Sequence, residues 1–347
     1  MKYSVDKLKE FVEKVMIKAG LSKEESYIFS DSLISAEIRG VASHGLTRLS
    51  TYAQRVKKGL VANNVEIKIL NDGGSVVRID GQNGMGAYVG TKTMELCIER
   101  AKTYGSAFAT VCGGNHFGCA CYFTMLAAQN DMIGFAVANG PSAIPPTGSK
   151  QPLLGTNPVS IAIPAKTMQP LVLDFATSSV ARGKVALAKK RGEKVPEGWG
   201  LDADGQPTTD PAKILDGGSM LPMAGAKGYG IALIVEILAS CLSGALNGQT
   251  MGSFYDFNKV QNSGFAFGAI DISKIIDVDI FKNSVDMLFT DMKNASRIDA
   301  NKEIMIPGEI EYLKSISTIK EGISLSPVVE KELMETAELF QVEFPVN

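Results

Sequence analysis

The 347-residue sequence contains no Gly-x-Gly-x-x-Gly and no Gly-x-x-x-x-Gly-Lys-Ser/Thr. The Rossmann fingerprint and the P-loop, which both bring backbone N–H groups to a phosphate at a helix start, are therefore absent. A Gly-x-Ser-x-Gly elbow and a His-Glu-x-x-His zinc helix are missing as well. Only two histidines occur, His44 and His116, which excludes a three-histidine zinc site within one chain. Five cysteines are too few, and odd in number, for a disulfide framework. Lys and Arg total 35 against 37 Asp and Glu, a net charge of −2, so no cationic field awaits nucleic acid or anionic lipid. The longest apolar run, Gly228 to Leu246, is broken by Glu236 and by glycines and serines, and reads as a buried helix rather than a membrane span. The first ten residues alternate charge with apolar side chains and lack the apolar stretch of a secretory signal. The expectation is a cytoplasmic protein with a small-molecule partner, acting on neither nucleic acid nor membrane.

What is present describes a packed globular chain, 45% hydrophobic and 21% charged, of a length that suggests about two domains. Leu8, Phe11, Val12, Val15 and Met16 share one helical face, and Gly20 follows as a stop. Ser22-Lys23-Glu24-Glu25 has capping-box form and opens a second helix to about Arg39. Two β-favourable runs between Val65 and Asp80 flank Asn71-Asp72-Gly73-Gly74, a hairpin signal. The pattern then alternates: helix over 86–104, strand over 107–112, helix over 117–129 and strand over 132–138. Strands are also expected over 159–163 and 171–174, and helices near 281–294, 309–317 and 328–340. Residues 141–158 and 192–211, rich in Gly and Pro, read as long ordered connections. The fold class is α/β, in a mixed α+β arrangement.

His44 opens a segment expected to be one helix reaching Lys58, with Ser43 as its N-cap. His44, Arg48 and Tyr52, spaced i, i+4, i+8, then share a face. A guanidinium fork suits a carboxylate and an imidazole exchanges a proton near neutral pH, so the trio can hold and protonate an anionic substrate. A capping serine beside a surface His and Arg accounts for the same spacing. His116, in Gly113-Gly114-Asn115-His116-Phe117-Gly118, is either a second active-site imidazole or, with Cys112, Cys119 and Cys121, a metal ligand. The spacing Cys-x3-His-x2-Cys-x-Cys matches no common zinc module, so no metal is assigned and a metal-dependent hydrolase stays the minor alternative. Asp174, ending an apolar strand before Thr177 and Ser178, suits ribose or phosphate contacts, or merely starts a basic helix. Gly225-Ala226-Lys227-Gly228-Tyr229-Gly230 is an anion cradle or a tight turn.

Read together, several segments resemble the malate/L-lactate dehydrogenase family that is distinct from the Rossmann-type enzymes. They are Ser43-His44-Gly45 with Arg48, Gly114-Asn115-His116-Phe117-Gly118, Gly155-Thr156-Asn157-Pro158, Asp174-Phe175-Ala176-Thr177-Ser178, Thr208-Thr209-Asp210-Pro211, Lys227-Gly228-Tyr229-Gly230 and Pro307-Gly308-Glu309. Relatives in that family include ureidoglycolate dehydrogenase, sulfolactate dehydrogenase, diketogulonate reductase and piperideine-2-carboxylate reductase. The resemblance implies a homodimeric oxidoreductase, dependent on NAD or NADP, that interconverts a 2-hydroxy acid and a 2-oxo acid of malate/oxaloacetate or lactate/pyruvate type. Reduction of a cyclic imino acid is the alternative within the family. It implies a non-Rossmann fold on a largely antiparallel sheet, with a helical subdomain of residues 1–62 plus 307–347 carrying the catalytic histidine and a mixed region over 63–306. It assigns His44 as proton donor with Ser43 orienting it, and His116 as a second catalytic group. Arg48 and Thr156 would contact substrate, with Arg182 and Gly183 at its edge, and the face that Tyr52 shares with His44 and Arg48 adds it to the substrate set. Asp174, Phe175, Ala176, Lys227, Gly228, Ile304, Met305, Ile306 and Pro307 would contact the cofactor. One departure is visible: residues 139–150 lack the Trp-Gly-Gly that relatives carry after the prolines.

Overall fold

The computed structural model describes residues 2–346. After a short strand β1 (Lys2–Tyr3), Ser4 caps α1 (Val5–Ala19), whose buried stripe is Leu8, Phe11, Val12, Val15, Met16 and Ala19. Ser22 and Glu25 form a reciprocal capping box at the start of α2 (Lys23–Ile38). The same Glu25 carboxylate accepts the N–H groups of Asn64 and Val65 at 3.0 and 3.3 Å, which fastens the helix start to the chain leading into the sheet.

The single helix expected from His44 is instead two 3-10 turns, Ala42–His44 and Leu46–Arg48, and α3 proper spans Leu49–Lys57. The cause lies in α2. Glu37 reaches across to accept the Leu46 N–H at 2.8 Å, and its carboxylate occupies the space a Cβ at position 45 would need. Gly45 is thus required for room rather than for a left-handed φ. Ser43 caps no helix; its hydroxyl meets the His44 ring.

The sheet follows from β2 (Lys68–Asp72) and β3 (Val76–Asp80), then α4 (Gly86–Tyr104), β4 (Ser106–Gly114), α5 (Ala120–Gln129), β5 (Met132–Ala138), β6 (Val159–Ile163) and β7 (Leu171–Phe175). Helix α5 begins three residues later than expected, because 115–119 form a loop at the cavity described below. Beyond α6 (Arg182–Arg191), short strands β8 (Gly200–Leu201), β9 (Pro207–Thr208) and β10 (Ser219–Met220) make a separate small sheet around α7 (Pro211–Leu215). The seventh strand of the main sheet, β11 (Ser263–Asp271), lies between β4 and β5. The main sheet has the order β2-β3-β4-β11-β5-β6-β7, and all pairs are antiparallel except β3 with β4. Alternate side chains of β11 face opposite layers: Phe265 and Phe267 join the core beneath α4 and α5, while Ala266 meets Val235 of α8 (Ala226–Glu236).

Helix α8 is not buried all round. A wider turn over Ile237–Cys241 continues it; Ala232, Val235, Glu236 and Ala239 face inward, whereas Ile234, Ile237 and Leu242 are about half exposed, at 59%, 47% and 53%. The chain closes with α9 (Val278–Lys293), α10 (Glu309–Glu321), β12 (Ile323–Ser324) and α11 (Pro327–Phe340). β12 pairs with β1, and α11 packs on α1 and α3. The helices of residues 1–62 and 307–347 therefore meet, over a core continuous with that of the sheet. No helix among the described residues is long and apolar enough to cross a membrane.

One buried cation fixes a loop that the site needs. Arg55, fully enclosed in α3, donates to the carbonyls of Ser253, Phe254, Asp256 and Lys259 at 3.4, 3.3, 2.5 and 3.0 Å. Arg55→Met keeps the bulk and removes the donors. With charged hydrogen bonds contributing about 1.5–3 kcal/mol each and not adding fully, a loss of about 3 kcal/mol is expected in denaturant unfolding, together with faster amide exchange over 253–259. Wild-type stability and exchange would show that the loop is held by something else.

Candidate active site

A cavity of about 1010 Å³ runs from the two 3-10 turns, past the start of α5 and the end of β7, to residues 305–311. That volume lies at the upper end for small-molecule sites. Ser43, His44 and Arg48 form one wall. Ser43 Oγ lies 2.9 Å from His44 Nδ1, and Arg48 Nε donates to the Ser43 carbonyl at 2.6 Å. That bond pins the guanidinium by one nitrogen and leaves its two terminal nitrogens for a ligand. Tyr255 and Phe254 lie under the Arg48 charge, at 5.3 and 5.9 Å from their ring centroids.

His116 faces His44, the rings stacked with centroids 5.7 Å apart. Its position is set from behind. Asn115 ties the turn to residues 83 and 84 through three acceptors, Gln261 Oε1 accepts the His116 N–H at 2.9 Å, and Phe254 packs on the ring at 4.9 Å. The hydroxyl of buried Tyr52 meets His116 Nδ1, toward which the Gly118 N–H also points at 3.3 Å. With two donors directed at Nδ1, the proton of the neutral ring sits on Nε2.

Enclosure governs the charges. Burial, helped by the nearby Arg48 charge, pulls the His44 pKa from 6.5 down to about 4. Burial lowers that of His116 further, with His44, Arg48 and Arg55 adding repulsion. Both rings are therefore neutral at pH 7. Asp174 lines the same cavity; burial raises its pKa, opposed by the Cys121 N–H that its carboxylate accepts at 2.8 Å.

Ser43, His44, Arg48, His116, Thr156, Asp174, Phe175, Ala176, Arg182, Gly183, Met305, Ile306 and Pro307 all line this one cavity. Four expected residues do not. Tyr52 lies behind His116 and reaches the cavity only through it. Lys227 is exposed on the first turn of α8, and Gly228 is packed against Met223; the neighbouring residues 224–226 line a second cavity of about 750 Å³. Ile304 turns its carbonyl to Lys293 Nζ at 3.3 Å. The metal set Cys112, His116, Cys119 and Cys121 is not assembled either. Cys112 Sγ points to the Ile79 carbonyl, and the one group of potential ligands that converges among the described residues is Cys119, Cys121 and Asp174. Phe254, Tyr255 and Gln261 were not foreseen, and neither was Arg39, whose buried side chain lines the cavity.

The malate/L-lactate dehydrogenase sequence model matches residues 3–334. The chain belongs to that family. It is 36% identical to a malate/(S)-sulfolactate dehydrogenase of Methanothermus fervidus over 98% of both chains, and 37% identical to an L-sulfolactate dehydrogenase of Methanocaldococcus jannaschii over 94% of each. Among solved structures, the malate dehydrogenase of Entamoeba histolytica superposes with a TM-score of 0.95 at 31% identity, covering 100% of this chain and 99% of that one. Family members named for NADP(+) and for NAD(+) both occur among the relatives. This dehydrogenase has a cavity suited to a dinucleotide. Its volume exceeds the need of a small acid, Gly118, Gly140 and Gly308 open its walls, and an enclosed Arg39 nitrogen lacks any acceptor.

The depressed imidazole pKa values bear on stability. Unfolding restores His44 to its ordinary value, so between pH 6.5 and about 4 the unfolded chain binds more protons than the native one. Stability conferred by the neutral rings is present above pH 6.5 and is lost as pH falls through that window. Thermal melts of the wild type should drop between pH 7 and 5, and those of His44→Gln should drop less. Parallel profiles would show that His44 does not titrate as described.

Proposed function

We propose that this dehydrogenase interconverts a 2-hydroxy acid and a 2-oxo acid of the malate/oxaloacetate type, with NAD or NADP as cofactor. The observation that carries this reading is the convergence of His44, His116 and Arg48 on one cavity that Asp174 and residues 305–307 also line. When bound, a reduced nicotinamide supplies the hydride that C2 of the oxo acid receives. The chain's own residues do the rest. Arg48 grips the substrate carboxylate with its two free nitrogens, and the carboxylate offsets the guanidinium charge that adds to burial in keeping His44 neutral. His44 then takes up a proton and delivers it to the oxygen on C2, with Ser43 Oγ holding Nδ1 so that Nε2 faces the substrate. His116, with its proton on Nε2, donates a second hydrogen bond to that oxygen.

Two cations support a substrate with two acids. Arg182 opens α6 beside Arg48: a Cβ on the adjoining Gly183 would lie 3.5 Å from Ser43 Cβ and 4.0 Å from Arg48 Nη2. Malate and sulfolactate, which name the relatives above, each carry a second anionic group, and lactate does not. We also propose a cytoplasmic homodimer in which the apolar row Leu233, Ile234, Ile237 and Leu242 is covered. Sedimentation should give twice the monomer mass of 37.0 kDa, and a monomer at working concentration would refute it.

Reduced-nicotinamide absorbance with oxaloacetate, pyruvate and a cyclic imino acid tests the reaction. His44→Gln should lower kcat about 10²- to 10⁴-fold, the usual loss for a general acid, with dinucleotide affinity nearly unchanged. Arg48→Lys should raise KM, because an ammonium cannot reproduce the fork. Arg182→Met should penalise oxaloacetate and leave pyruvate alone. Wild-type kcat in His44→Gln would move the proton donor to another group, and activity with pyruvate equal to that with oxaloacetate would remove the second-acid reading.

A further inference from the structure

Arg39, at the C-terminal end of α2, is a buried cation of the cavity whose side chain has no hydrogen-bond or ion-pair partner among the described residues. It is only 9% exposed and lines the cavity. Its Nε is enclosed without a hydrogen-bond partner. A guanidinium does not deprotonate in proteins, and an isolated buried charge is strongly unfavourable unless something pairs with it. Asp174 is near enough to feel its field but already accepts the Cys121 N–H, and no ion pair closes on Arg39 among the described residues.

Its place in the cavity says which anion it suits. The charges acting on the two imidazoles are those of Arg48 and Arg55, whereas Arg39 acts on Asp174 and Cys121. The substrate end already has Arg48 and Arg182. We propose that Arg39 binds a phosphate of the dinucleotide and is a cofactor-affinity residue. The inference rests on the dinucleotide reading given above. The phosphate is either part of the bridging pyrophosphate or the 2′-phosphate that distinguishes NADP from NAD, and Asp174 beside it suits a ribose hydroxyl.

The test is calorimetric titration of NADH, NADPH and inorganic pyrophosphate into the full chain as wild type, Arg39→Met and Arg39→Lys, with melts of each protein without ligand. Charged hydrogen bonds of about 1.5–3 kcal/mol correspond to a weakening of roughly 10- to 150-fold in Arg39→Met, with Arg39→Lys intermediate. Equal losses for NADH and NADPH, with loss of pyrophosphate binding, place Arg39 at the bridge; a loss confined to NADPH places it at the 2′ position. The ligand-free Arg39→Met protein should melt no lower than wild type, since the residue it loses has no partner to leave behind. Dinucleotide affinities within twofold of wild type in Arg39→Met overturn the proposal. Should that variant fail to fold, Arg39 is structural in the empty protein, and unchanged affinity in Arg39→Lys overturns it instead. Wild type that binds neither dinucleotide would overturn the cofactor reading itself, a result distinct from wild-type binding that the variants retain.

Discussion

Two imidazoles and a guanidinium, each partly buried, converge on one cavity wall, and much of the surrounding structure follows from that constraint. Burial and the nearby cations favour the neutral form of both rings. Holding neutral rings in place requires directed hydrogen bonds, because neither ring has an ion pair to orient it. Ser43 serves His44; Tyr52, Gln261 and the Gly118 amide serve His116. The aromatic wall of Phe254 depends in turn on Arg55, whose charge is spread over four carbonyls of the same loop. The loop that lines the site is thus shaped by a cation from the opposite side.

A second buried charge sets the far wall. Glu236, the acid that interrupts the apolar run of α8, receives Asn139 Nδ2 at 3.2 Å, Asn157 Nδ2 at 2.8 Å and the Gly248 N–H at 3.0 Å. Asn157 Oδ1 then accepts the Gly140 N–H at 3.1 Å. Both ends of the long connection over 139–157 are therefore tied to one carboxylate. This explains how a long segment rich in Pro and Gly holds a defined edge at the cavity: the anchoring lies in the two asparagines.

Local signals made much of this legible in the sequence. A helical stripe with a glycine stop located α1, a capping box located α2, helical patterning located α4 and the three C-terminal helices, and the Ser-His-Gly and Asn-His-Phe-Gly segments pointed to both imidazoles. What escaped depends on tertiary context. β11, Ser-Gly-Phe-Ala-Phe-Gly-Ala-Ile-Asp, has the glycine and alanine content of a loop, and is a strand because small residues fit between two neighbouring strands and two packed layers. The helix expected from His44 was overridden by Glu37, which is invisible to a local pattern. Phe254, Tyr255 and Gln261 lie in a stretch with no periodicity, to which Arg55, some two hundred residues away, is tied through four carbonyls. Arg39 carried a signal, since it directly precedes Gly40 and the Ser-His-Gly turn, but its burial without a partner is a property of the fold alone.

The absence of a Gly-x-Gly-x-x-Gly also acquires a structural reason. In a parallel sheet the strands all end on one side, and a dinucleotide lies across the crevice there. An antiparallel order sends neighbouring strands in opposite directions, so no such crevice forms, and a long cavity must be built at an edge. Here the edge is β7. Its exposed side is covered by residues 305–308, with the Val172 N–H donating to the Pro307 carbonyl at 3.0 Å. That covering segment is fixed by Glu309, which accepts the Ile306 N–H at 2.9 Å and pairs with Lys293. Gly308, at φ 87°, takes the left-handed turn that brings the segment against Val172. The Pro-Gly-Glu sequence is therefore the device that both protects a sheet edge from pairing and completes the cavity wall. The same residues answer a folding problem and a binding one.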